Sequence, residues 1–155
     1  MGAYARWRAL ARDEQRLAVT SWLTIAVAVA GVRALGVERM LRMASRPRRS
    51  RRLATLAQGK GASLPPGRRR GTGRTAIGDL VTAVDRAGRY VPAGTCLPKS
   101  LALAWMLRGM GVAAAVRIGV KIDGRFEAHA WVECGGVAVT ELSGAEKRFA
   151  TILSS

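Results

Sequence analysis

The sequence predicts an α+β fold: a cysteine-bearing helix packed on a small antiparallel sheet, preceded by a helical N-terminal region. Three observations carry that reading. An apolar helical run begins at Cys96, strand-like stretches separated by glycine-containing turns follow it, and a long uncharged segment lies near the N-terminus. At 155 residues the chain supports one domain with a real core, plus an extension.

Residues 1–58 read as the helical N-terminal region. Within it, residues 17–32 (LAVTSWLTIAVAVAGV) carry no charge and are mostly apolar. A membrane-spanning helix needs about 20 such residues, and Thr20, Ser21 and Thr24 interrupt the run. A buried or partner-facing helix is the better reading, with peripheral membrane contact left open. The preceding residues mix Arg6, Arg8 and Arg12 with Asp13 and Glu14, unlike the start of a signal peptide, which points to the cytoplasm.

Residues 59–74 (GKGASLPPGRRRGTGR) form a basic Gly/Pro-rich linker. The net charge is +16, and no carboxylate occurs between Glu38 and Asp79. Such a stretch suits an acidic peptide, an anionic membrane or nucleic acid, or is simply solvated. No aromatic residue interleaves with the arginines between Arg39 and Arg74, which disfavours nucleic acid stacked on a protein platform. One histidine and two distant cysteines make no structural zinc site, and no phosphate-cradling glycine motif is present, so neither metal nor cofactor is expected.

Residues 75–155 form the third unit. Its first helix, over residues 75–90, turns Ile77, Leu80, Val81 and Val84 inward, against the helix that begins at Cys96. In that second helix Leu97, Leu101 and Ala104 fall along one stripe with Leu103 and Leu107 beside it. Pro98 is tolerated in the first turn, where its missing N–H has no intrahelical role, and Gly109 and Gly111 end the helix. Cys96 therefore sits where the helix dipole favours a thiolate and unpaired N–H groups can hold an oxyanion. Lys99, one turn on, adds positive charge or is merely solvated. An inert buried thiol is the bland alternative for Cys96.

Strands follow over residues 113–121 and 126–133, joined by a two-residue turn at Asp123-Gly124, and over residues 137–142 after a turn at Cys134-Gly135-Gly136. His129, the chain's one histidine, lies mid-strand. Cys134 lies five positions from it on the same strand, roughly 16 Å away at strand rise, so it cannot be its partner. Cys96 can, and a thiol with an imidazole base is the minimum equipment for acyl transfer. A two-residue loop at Gly135-Gly136 would set His129 opposite Leu142; a three-residue loop would set it opposite Glu141. The three-residue loop is the expectation here, with Gly136 in the left-handed position and Glu141 orienting the imidazole as the third member of a triad.

The run Cys96-Leu97-Pro98-Lys99-Ser100-Leu101-Ala102-Leu103, then Arg117-Ile118-Gly119-Val120, then Ala128-His129-Ala130-Trp131-Val132-Glu133 resembles the leader peptidases of lasso-peptide biosynthesis, in the transglutaminase-like cysteine peptidase superfamily. The family's acidic residue is usually Asp; the matching position here is Glu141. The resemblance implies a papain/transglutaminase-like core, with Cys96, His129 and Glu141 as catalytic residues. It also implies cleavage of a leader from a ribosomally made precursor peptide. In this family leaders are recognised by a small winged-helix-like domain, fused or separate. No strand-rich domain precedes residue 75, so a separate leader-binding protein is expected, with a macrolactam synthetase acting next. A transglutaminase-like acyl transferase and a non-enzymatic basic binding protein are the rival readings.

Overall fold

The computed structural model describes residues 11–45, 73–92, 95–123, 125–140 and 149–155. Within them the helices are α1 (Arg12–Leu35), α2 (Val37–Ser45), α3 (Gly73–Gly88) and α4 (Cys96–Gly109). The strands are β1 (Ala115–Asp123), β2 (Arg125–Cys134), β3 (Val137–Ala138) and β4 (Ala150–Ser154), forming one antiparallel sheet in the order β3-β2-β1-β4. The predicted α+β architecture is present. Residues 59–72 of the predicted linker lie outside the described residues, and residues 73–74 open α3.

The cysteine helix is the hub. Pro98, Leu101, Ala102, Leu103, Ala104 and Leu107 are all buried, so α4 is apolar on several sides rather than along one stripe. It packs against α1, α2, α3, β1 and β2. Each buried leucine contributes about 2 kcal/mol of transfer free energy. From the N-terminal region, Ile25, Ala28 and Val29 of α1 and Met40 and Leu41 of α2 join the same cluster, together with Leu80 and Val84 of α3. Val116 and Val132 close it from the sheet.

The end of α4 follows from its glycines. Gly111 adopts φ +83, its N–H bonds Arg108 O at 3.0 Å, and the Val112 N–H reaches back to Leu107 O at 3.0 Å. This paired closure satisfies the helix's last carbonyls. Arg108 then donates from Nε to Ala114 O at 2.8 Å, tying the helix end to the approach to β1. Burial pushes the Arg108 guanidinium below its ordinary pKa.

Two registers differ from expectation. Ile122 pairs with Phe126, not Arg125, because pairing continues to Asp123 and Arg125 with only Gly124, outside the described residues, between them. At the other turn Cys134 pairs with Val137 and Glu133 with Ala138, so the loop is two residues long and not three. The cause is visible in the backbone: Gly135 and Gly136 both have positive φ, 60° and 79°, as a tight primed hairpin turn requires. The alignment that would have set His129 opposite Glu141 therefore does not form. The third strand ends at Ala138 instead of reaching residue 142, and Glu141 lies outside the described residues.

β4 was not foreseen. It pairs with β1 through Ile118↔Leu153 and Gly119↔Thr151, leaving Ile152 as the extra residue of a bulge. Gly119 is what allows this approach. A Cβ there would lie 2.9 Å from Phe149 Cβ and 3.0 Å from both Ala150 O and Trp131 Cη2.

Candidate active site

Cys96 is the first residue of α4, after an extended Thr95. The Lys99 N–H bonds Thr95 O at 3.2 Å, and Pro98 has no N–H to offer. The N–H groups of Cys96 and Leu97 are thus the first-turn donors that helix geometry leaves without an intrahelical acceptor. They lie at the positive end of the helix dipole, beside the sulfur.

His129 is held on β2 just beyond the point where β3 stops. After the Cys134 and Glu133 pairs, one further bond from the Val139 N–H to Val132 O (2.9 Å) completes that side of the strand. The next outward carbonyl, Ala130 O, accepts instead from Ser100 Oγ at 3.0 Å, a buried bond between α4 and β2. This bond fixes the start of the cysteine helix beside the histidine strand. Cys96 and His129 both line a cleft of about 130 Å³, whose walls include Val81, Val84 and Leu103. The structure thus brings two of the three predicted residues to one place. The third, Glu141, follows Thr140, which lines the same cleft.

The imidazole has aromatic neighbours. Trp131, two residues on, is fully buried, and its ring lies nearly parallel to that of His129 (centroids 6.4 Å apart, planes 10° apart). Phe149 approaches from the segment before β4, at 5.5 Å and 38°. Trp131 is itself gripped. Its Nε1–H donates to Glu133 Oε1 at 3.0 Å, while Arg117 Nε donates to Glu133 Oε2 at 2.9 Å. One face of the sheet therefore holds the ring that flanks the histidine through a shared carboxylate.

Lys99 neither stays solvated nor faces the thiol as a lone charge. Its Nζ pairs with Asp85 Oδ1 of α3 at 2.8 Å, and Arg89 adds a second contact to Asp85 at 3.2 Å. The hydrogen bond from Lys99 leads in holding the Asp85 carboxyl below its ordinary value of 3.8, against the opposing effect of burial. A carboxylate whose folded pKa is depressed stabilises the fold above the unfolded value and loses that contribution as pH falls through the folded one. Asp85→Asn is expected to cost about 1 kcal/mol or less at neutral pH. The gap from the parent, read as a urea midpoint, should close on acidification below the carboxylate range. A gap unchanged at acid pH would contradict this.

Asp85, Thr140 and Phe149 were not singled out from the sequence. Phe149 had a signal, since it precedes the β-branched run Thr151-Ile152. Asp85 and Thr140 had none, because their place depends on how α3 and the end of the sheet meet α4. Thr140 Oγ1 is buried, with no hydrogen-bond partner among the described residues. Cys134 stands apart: it packs against the edge of the core, and burial pushes its thiol up, away from thiolate. Both cysteines are free thiols. Among the described residues, no group of three His, Cys, Asp or Glu is placed to hold a metal ion.

No curated protein and no solved structure matches the chain. A family model described as the transglutaminase-like superfamily matches residues 19–154, from within α1 to the last residue of β4. That superfamily includes cysteine peptidases and acyltransferases and is generally cysteine-dependent. Its Cys96-led helix, its histidine-bearing strand and a match over nearly its whole length make the chain a member of the transglutaminase-like superfamily.

Proposed function

We propose that the chain is a cytoplasmic cysteine peptidase that removes the leader from a ribosomally made precursor peptide during lasso-peptide maturation. The observation that supports the chemistry is that Cys96, at the start of α4, and His129, on β2, line one cleft. The peptide substrate class rests on the motifs Cys96–Leu103 and Ala128–Glu133.

In this reading His129 takes the thiol proton of Cys96, and the thiolate attacks the scissile carbonyl. The backbone N–H groups of Cys96 and Leu97 receive the oxyanion. His129 returns the proton to the leaving amine, and water releases the acyl-enzyme. Glu141 is proposed to orient the imidazole. A separate leader-binding protein presents the precursor, and a macrolactam synthetase takes the product.

The test is to incubate the protein and the leader-binding protein with the precursor encoded beside them, with and without a labelled primary amine. Mass spectrometry should find free leader and core peptide. Incorporation of the amine in place of hydrolysis would establish the acyltransferase reading instead, and an intact precursor would sink both.

A further inference from the structure

The outer side of α1 is unlike the outer side of an ordinary surface helix. Its inner side is committed: Ser21, Ile25, Ala28 and Val29 are buried against α3 and α4. The opposite stripe should be polar in a helix surrounded by water. Instead it exposes Val19 (45 %), Leu23 (51 %) and Val27 (61 %), with Trp22 (43 %) at its flank. The spacing of three or four residues places these on one line. The same line continues to exposed Arg12 and Arg16 toward the N-terminus, and exposed Arg33 lies at its flank beyond Val27, on the same side as Trp22. Asp13 and Glu14 fall off it, and Glu14 turns back to accept the Ala11 N–H at 2.9 Å.

An apolar stripe of about 12 Å, at 1.5 Å per residue, thus runs into two arginines at its N-terminal end and has a third at its flank past the other end, on a chain of net charge +16. By length and composition alone α1 resembles a membrane span, but its inner side is built into the protein core, so it cannot cross a bilayer surrounded by lipid. We infer that α1 lies in the plane of an anionic membrane surface. Val19, Leu23 and Val27 enter the boundary between headgroups and acyl chains, and Arg12, Arg16 and Arg33 reach up to lipid phosphates. Charge complementarity selects the occupant. A second copy of this chain, also of net charge +16, is repelled as a whole, whereas anionic headgroups neutralise the arginines of this face. The cleft of Cys96 and His129 has no part in this contact.

The experiment is vesicle co-sedimentation of the full chain with phosphatidylcholine alone and with phosphatidylcholine mixed with phosphatidylglycerol. Binding is expected with the anionic vesicles, weakening as salt rises, with a blue shift of tryptophan emission that disappears in Trp22→Phe. The Leu23→Glu/Val27→Glu variant changes only exposed side chains and should keep its circular dichroism spectrum and thermal midpoint. Its partition should fall by roughly tenfold or more. Three results would overturn the inference. They are no binding to anionic vesicles, binding by the double variant equal to that of the parent, and a dimer in solution that the double variant converts to monomer.

Discussion

Cys96→Ala is expected to abolish cleavage of the precursor, lowering turnover by about 10⁴-fold or more, while the protein still folds. The loss is large because in the proposed mechanism the sulfur is the nucleophile, and neither the helix-end N–H groups nor His129 can substitute for it. The side chain is only half-buried at the first position of α4, so trimming it removes little packing. Cys134→Ala is the matched control. That thiol lies at the far end of β2 from His129 and burial holds it protonated. Its replacement should leave cleavage intact at a cost of about 1 kcal/mol in stability. Both variants are compared by single-turnover cleavage and by urea unfolding. Cleavage surviving in Cys96→Ala, or lost in Cys134→Ala, would reverse the assignment.

The second large effect is on stability. Trp131→Ala is expected to cost about 3–5 kcal/mol, a large part of the 5–15 kcal/mol that holds a typical domain together. Trp131 is wholly buried, its edge fills the space that Gly119 leaves open, and its N–H occupies one oxygen of Glu133. Removing the ring leaves a cavity beside His129 and unties half of the Glu133 bridge to Arg117. Trp131→Phe keeps most of the apolar volume and loses the hydrogen bond, so its urea midpoint should fall between the parent and the alanine variant. Turnover should fall in the alanine variant even under conditions where it remains folded, because the imidazole loses a flanking ring. An alanine variant as stable as the parent would mean that the ring is not a core element.

What could be read from the amino acids was whatever depends on neighbours in the chain. The helix from Cys96 was legible because Pro98 is harmless in a first turn and Gly111 can take the left-handed conformation that closes α4. The strand around His129 was legible from its alternation and its turn residues. What failed was counting across space. Gly135-Gly136 fits both a two-residue and a three-residue loop, and the choice shifts every partner on the strand by one. Two positive φ angles in succession settled it in favour of the shorter loop. β4 escaped notice because a five-residue run at the end of a chain has no meaning until β1 offers an edge for it. Asp85 looked like an ordinary polar residue of an amphipathic helix. Only the packing of α3 beside α4 makes it the counter-ion of Lys99 at the cleft.

The bond from Ser100 to Ala130 restricts how anything extended can approach the histidine strand. A peptide adding itself to β2 on that side would need the Ala130 carbonyl as an acceptor, and a hydroxyl from the neighbouring helix already occupies it. An incoming strand would have to share that oxygen, through its second lone pair, with the serine of the helix lying against it. Extended chain laid along this edge therefore competes with the bond that seats the start of α4.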